Sequence, residues 1–371
     1  MSDNFNQKDY GDYFKALEEN MNKPLKSELS RENIISKPQK KKNGIWWVFR
    51  LRPSVIAIFL SLILVATSLS VIAIAKGKKG SDKPETVSSK TTVSTPKEEK
   101  KKPISFSFSE NVPQVPTTTD AKSAIIINRT TNTVLAARNA HEKVYPASTT
   151  KVMTLLVAVE NLTDLNDTFT MTLAITDPLF VRGASVAGFL NNETITMTDL
   201  LYGLILPSGA DAAVALAVKI AGSEEGFVNL MNQKAKELGL ENTHFANVSG
   251  LHDENNYTTA YDMSVILATA LENELCKTIL STKKYTTAKT PQNPDGILLS
   301  STLFDYMYGT EPEIATITSG KTGFVNESGY CIASYGTNNT NGNEYIVVTM
   351  GNSARRPAFH GQIALYKEFA R

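Results

Sequence analysis

Ser148-Thr149-Thr150-Lys151, running directly into Val152-Met153-Thr154-Leu155-Leu156-Val157-Ala158-Val159, is the stretch on which the fold of this chain turns. A serine and a lysine three positions apart sit on one face of a helix, one turn from each other. The residues that follow are apolar nearly all round, which marks a helix buried on every side. A lysine at the start of such a helix loses water, which disfavours its ammonium form, and a second cation nearby such as Lys321 would push the same way. Ser148 is then a nucleophile with a base beside it, Lys151.

Two other segments match the same pattern, Ser94-Thr95-Pro96-Lys97 in a Pro/Ser/Thr/Lys-rich run and Ser281-Thr282-Lys283-Lys284. The first lies where no packed core forms. Context separates the Ser148 copy from both. Tyr145-Pro146-Ala147 leads into it, and further along come Leu206-Pro207-Ser208-Gly209-Ala210 and Gly320-Lys321-Thr322-Gly323, the latter followed by Gly329-Tyr330-Cys331. The helix Ser223 to Leu238, His244-Phe245-Ala246-Asn247 leading to Gly250-Leu251, and Tyr257-Thr258-Thr259-Ala260 lie between.

Over residues 118 to 371 this set resembles the low-molecular-mass D-alanyl-D-alanine carboxypeptidases among the penicillin-binding proteins. The resemblance implies that Ser148 is acylated, that Lys151 is its general base, and that the Ser208 hydroxyl relays a proton to the leaving amine. Read from the residues alone, Ser208 is also an ordinary N-cap for the Ala-rich helix after it. The resemblance further implies that Lys321 and Thr322 bind the substrate's terminal carboxylate and that Gly323 lets the substrate backbone lie against a strand. The N–H groups of Ser148 and Phe324 would form the oxyanion hole, with Arg355 or Arg356 assisting at the carboxylate. One position departs: Ala210 stands where the family has an asparagine that hydrogen-bonds substrate and lysine.

The implied activity is removal of the terminal D-alanine from peptidoglycan stem pentapeptides through an acyl-enzyme, with β-lactams acylating the same serine and with no cofactor. Two other readings stay open. A β-lactamase would need a further carboxylate to activate the deacylating water, for which Glu193 is a candidate; a wall-associated scaffold or sensor would bind penicillin without useful turnover.

Composition narrows the rest. With 371 residues, 42% of them apolar, the chain can build a large core, and a net charge of +1 gives no field that argues for nucleic acid. Cys276 and Cys331 make no disulfide framework and read as buried thiols. His141, His244, His252 and His360 have no metal-ligand spacing, and the Gly-x-Ser-x-Gly elbow of α/β-hydrolases is absent.

Val55 to Ala75 carries no charge and is long enough to span a bilayer as a helix. Basic residues before it (Lys37, Lys40, Lys41, Lys42, Arg50 and Arg52) stand without acids, whereas those after it are diluted by Asp82 and Glu85. The N-terminus is therefore expected in the cytoplasm. The expected layout is a cytoplasmic tail over 1–52, a transmembrane helix over 53–75, a low-complexity linker over 76–117 and a catalytic domain over 118–371 outside the membrane.

Within that domain Ala124-Ile125-Ile126-Ile127-Asn128 and Thr133-Val134-Leu135-Ala136-Ala137 read as a hairpin turning at Arg129-Thr130-Thr131-Asn132. Helices follow at 198–204, 210–221, 223–238 and from Thr259, then strands at 330–335 and 345–350, and a last helix over 358–370. Strands at both ends with helices between imply an α+β fold, an antiparallel sheet covered by helices with an inserted helical region. By resemblance this is the penicillin-binding, β-lactamase-like fold.

Overall fold

Ser107–Phe108 (β1), Ser123–Asn128 (β2) and Thr133–Arg138 (β3) open the domain in the structure, a computed structural model that describes residues 102–371. The expected tail, the Val55 to Ala75 anchor and most of the linker lie outside the described residues. Among the described residues no helix is long and apolar enough to cross a membrane.

The hairpin forms as expected, with Asn132 at φ 55 in its turn. The linker ends earlier than residue 117. Phe106 is buried in the main core, β1 pairs in parallel with β3, and the Arg138 guanidinium donates to the carbonyls of Val115, Pro116, Thr119 and Ala121 at 2.7–3.0 Å. A segment tied down by backbone pairing and one arginine needs few apolar residues, so its composition reads as a linker.

The helical insertion begins with a 3-10 turn, Ala147–Thr150, and then Lys151–Asn161 (α1), whose residues are buried from Lys151 through Ala158. Next come Thr168–Thr170 (β4), Leu173–Val181 (α2), Thr194–Thr196 (β5), Met197–Ile205 (α3), Ala210–Ala221 (α4) and Glu224–Glu237 (α5). Ala260–Leu271 (α6), Glu274–Ser281 (α7), Lys284–Thr286 (β6), Leu298–Ser300 (β7) and Thr302–Met307 (α8) complete it. Helix α1 is the hub, packed against α3, α4, α5, α6 and α7, which is why its sequence has no polar face. Side-chain caps start four of these helices: Thr196 accepts from Asp199 N–H, Ser223 from Gly226 N–H, Thr259 from Asp262 N–H, and Asn273 from Leu275 and Cys276 N–H. The small pairs β4–β5 and β6–β7, and helices α2 and α8, have no clear signature in the sequence.

The chain returns to the sheet through Ala315–Val325 (β8), Gly329–Asn338 (β9) and Glu344–Asn352 (β10), and ends in Arg355–Phe369 (α9). The last helix starts before the expected Ala358 because Pro357 falls in its first turn, where no backbone N–H is required. The sheet order is β1-β3-β2-β10-β9-β8, antiparallel apart from β1–β3, with β8 at one edge. Ile125, Ile127, Ile346, Val348 and Met350 pack on the inserted helices, while Ala124, Ile126, Tyr345 and Val347 pack with Leu303, Phe359, Ile363 and Tyr366 on the other side. A sheet covered on both faces needs continuous apolar strands rather than alternating ones. That is the pattern of Ala124 to Ile127 and of Tyr345 to Met350.

Candidate active site

The turn that carries Ser148 is pinned from behind. Asn247 Oδ1 accepts from the N–H groups of Ser249 and Gly250, and its Nδ2 donates to Leu251 O, which folds residues 247–251 into a tight loop. Gly250, at φ 79, lies against the Ala147 carbonyl, and Ala147 itself holds φ 47 just before Ser148. On the other side strand β8 approaches so closely that a Cβ on Gly323 would stand 2.7 Å from Ser148 N. Gly323 is thus required by the chain's own turn, a tighter constraint than the expected passage of a substrate backbone.

Lys151, first residue of α1, donates to Ser249 O at 2.6 Å and to Ser148 Oγ at 3.1 Å. Burial pushes its amine down from 10.5 to about 7, while the Asp211 carboxylate pulls the other way. At neutral pH such a lysine is partly unprotonated and within reach of the hydroxyl, so it can accept that proton. Lys321 on β8 is also fully buried and donates to Thr322 O at 2.8 Å. Burial first, and repulsion from Lys151 second, drive its amine well below the usual range. Burial is the leading cause at both amines, and the two lysines lie close enough to repel each other.

Ser208 departs from the N-cap reading. Gly209 occupies the cap of α4 and no side chain caps that helix. Ser208 instead holds φ 66, and its Oγ is buried with no hydrogen-bond partner in the protein, in the wall of the cavity that Ser148 also lines. An unpaired buried hydroxyl costs about 1–3 kcal/mol, so its retention points to a partner outside the chain. Ala210, next but one, is buried and contributes only a methyl to the adjoining cavity.

Two cavities meet at Ser148. The first is lined by Ser208, Thr302, Tyr306, Thr322, Gly323 and Arg355 among others, the second by Lys151, Arg182, Ser185, Ala210, Ser249 and Glu327 among others, with Phe324 bordering both. Thr322 reaches the first cavity and Lys321 lines neither. Of the two arginines weighed from sequence, Arg355 is the one at the cavity.

Glu193 is elsewhere. Its carboxylate is buried and accepts from Leu190 N–H, Thr290 Oγ1 and Asn293 Nδ2, pinning residues 290–293 to the turn before β5. The Ser281 copy of the motif is no pair either, since Ser281 ends α7 and Lys284 is exposed on β6. Cys276 and Cys331 are buried thiols, and among the described residues no three His, Cys, Asp or Glu side chains are grouped to hold a metal.

Sequence reasoning missed three contributors. Ser249 acts through its carbonyl, which carries no residue signature. Asp211, buried, accepts from the N–H groups of Ala187, Gly188, Phe189 and Ala212, fixing the loop whose Ser185 lines both cavities with Ser148; burial raises its carboxyl and those donors oppose the rise. Helix α8 delivers Thr302 and Tyr306.

A family profile described as D-alanyl-D-alanine carboxypeptidase matches residues 109–354. The chain belongs to that family. The D-alanyl-D-alanine carboxypeptidase DacF of Bacillus subtilis is 34% identical over 57% of this chain and 53% of its own length. DacC of Escherichia coli is 38% identical over 50% and 48%. The chain thus spans about half the length of these curated relatives. Among solved structures, the Streptomyces K15 DD-transpeptidase superposes with a TM-score of 0.58 at 31% identity, covering 69% of this chain and 99% of that one. A D-alanyl-D-alanine carboxypeptidase from Mycobacterium tuberculosis does so at 0.60 and 26%, covering 71% and 94%.

Proposed function

We propose that this chain is a membrane-anchored, extracytoplasmic serine D-Ala-D-Ala carboxypeptidase acting on peptidoglycan stem pentapeptides. The observation that carries it is Lys151 Nζ at 3.1 Å from Ser148 Oγ, with burial holding the amine near pH 7. Ser148 Oγ attacks the carbonyl of the penultimate D-alanine as Lys151 takes the hydroxyl proton. The N–H groups of Ser148 and Phe324 receive the developing oxyanion. The Ser208 hydroxyl, unpaired in the protein, relays the proton from Lys151 to the departing amine of D-alanine, so that Lys151 is again neutral. Water then hydrolyses the ester and frees Ser148.

Thr322 and Arg355 take the terminal carboxylate of the substrate from the cavity side. Lys321 lies behind them, and an arriving anion favours its charged form. All of these groups come from the chain itself. β-Lactams, carrying a carboxylate beside a strained amide, enter the same way and acylate Ser148.

The test is release of D-alanine from a peptide ending in D-Ala-D-Ala, using the full chain in detergent with a labelled penicillin in parallel. Release by the wild type and none by Ser148→Ala supports the reading. Labelling without release favours the scaffold, to which Ala210 lends weight; neither labelling nor release defeats both. The β-lactamase reading has lost its candidate carboxylate, because Glu193 is committed to its own loop. Anchoring through Val55 to Ala75 rests on its uncharged length. Protease added to intact protoplasts should digest the Ser148 domain and spare the N-terminal tail, and a secreted form starting near residue 76 would overturn it.

A further inference from the structure

Helix α8 is built to present two residues to the cavity. Leu303 and Met307, four apart, are buried with Phe359 in the core under α9, so Thr302 and Tyr306, also four apart, share a neighbouring face. Both line the cavity that holds Ser148. Thr302 N–H donates to Leu206 O at 3.1 Å, which ties the helix to the loop carrying Ser208. The hydroxyls of Thr302 and Thr322 are 2.7 Å apart. The Tyr306 ring meets Phe359 edge-on, centroids 5.8 Å apart, and the Arg355 guanidinium lies 4.2 Å from the Tyr306 centroid.

Arg355 is the unusual member. It is the first residue of α9, where the helix dipole disfavours a cation, and no acidic residue stands in that first turn. Among the described residues it forms no ion pair. An arginine so placed is held by the face of an aromatic ring, with its N–H fork left for an anion.

We propose that Tyr306 and Thr302 are positioning residues that give this cavity its selectivity for ligands ending in an ionised carboxylate, Tyr306 by holding Arg355 over the cavity and Thr302 by orienting the Thr322 hydroxyl. The inference rests on the function proposed above and names residues outside its catalytic set. With Thr302 donating to Thr322 Oγ1, the Thr322 proton is left for the ligand carboxylate. The Tyr306–Phe359 pair lines the same cavity with apolar ring surface.

The experiment compares acylation of the full chain by a penicillin and by its methyl ester, which lacks the anion. Tyr306→Leu should slow acylation by the acid by about tenfold and leave the ester within about twofold. Tyr306→Phe, which keeps the ring, should match the wild type, and Thr302→Val should cost the acid alone about threefold or more. On a D-Ala-D-Ala peptide the Tyr306→Leu loss should fall on KM with kcat nearly unchanged. Equal slowing of acid and ester by Tyr306→Leu, no slowing of either, or a Tyr306→Phe that behaves like Tyr306→Leu would overturn the proposal. Should Tyr306→Leu fail to fold, Thr302→Val decides by the same acid-to-ester ratio. A wild type acylated by neither compound defeats the proposed function; one acylated equally by both defeats only this inference.

Discussion

Gly250 sits directly on the carbonyl of Ala147, and a Cβ at position 250 would overlap that oxygen and stand 2.9 Å from Ser148 N. The position of Ser148 is thus set by a glycine distant in sequence, in a loop held by Asn247.

Gly250→Ala should therefore damage both fold and function. The residue holds φ 79, and relieving the overlap moves either the Ser249 carbonyl, which binds Lys151, or the turn itself. A loss of about 2 kcal/mol or more in unfolding free energy is expected, with slower penicillin acylation of the surviving fold. A variant with wild-type Tm and acylation would show that the loop yields freely.

Ser148→Ala should abolish covalent labelling and leave Tm nearly unchanged, because it removes only the attacking oxygen. Persistent labelling at another serine would overturn the assignment.

Lys151 links both activity and stability to pH, and both rise with it. Acylation needs the neutral amine, so its rate should climb with pH and level off above about 7. The amine binds its proton less tightly in the folded chain than in the unfolded one, where it titrates at 10.5. Between these values the unfolded chain holds a proton that the folded chain has lost, so this group's penalty is full below about pH 7 and fades as pH rises toward 10.5. Lys151→Met should abolish acylation and gain stability over the wild type by about 1–3 kcal/mol at pH 6, net of the unpaired Ser249 carbonyl, with a smaller gain at pH 9. Thermal unfolding at the two pH values checks this; a gain that grows with pH would contradict it.

Glu193→Gln tests the carboxylate that sequence offered to a β-lactamase. It should cost about 1–3 kcal/mol of stability through the Thr290 and Asn293 contacts and leave the lifetime of the penicilloyl-enzyme unchanged. A markedly longer lifetime would restore that residue to the chemistry.

Ala210→Asn should raise D-alanine release by about tenfold if one hydrogen bond to substrate is recovered. Ala210 is buried beside the cavity, and its N–H already bonds Ser185 O at 2.8 Å. A rate at or below that of the wild type would mean that a neighbour such as Ser185 has taken the position.

Much of this site was legible because its motifs are local. Ser148 and Lys151 lie on one turn, and an apolar run after them buries the lysine whatever the helix packs against. The helix starts at Ser223 and Thr259 are equally local, each cap satisfied within three residues. Ser208 misled for the same reason: a serine before an Ala-rich helix is an N-cap by local rules, whereas here the backbone turns at φ 66 and the hydroxyl faces a cavity formed by distant strands.

The sequence by itself determined the pairing of Ser148 with Lys151 on one helical turn and the α+β pattern of a hairpin, a helical block and a closing pair of strands. These follow from spacing and from the polarity of neighbours, which a linear chain carries in full. Only the tertiary structure decided that Ser249 O and Gly250 back Ser148, that Lys151 and Lys321 are buried close enough to repel, that Glu193 belongs to a loop staple, and that α8 brings Tyr306 under Arg355. Each of these joins residues from separate elements through a backbone atom, a desolvated charge or a ring face, and such contacts exist only once the layers have packed.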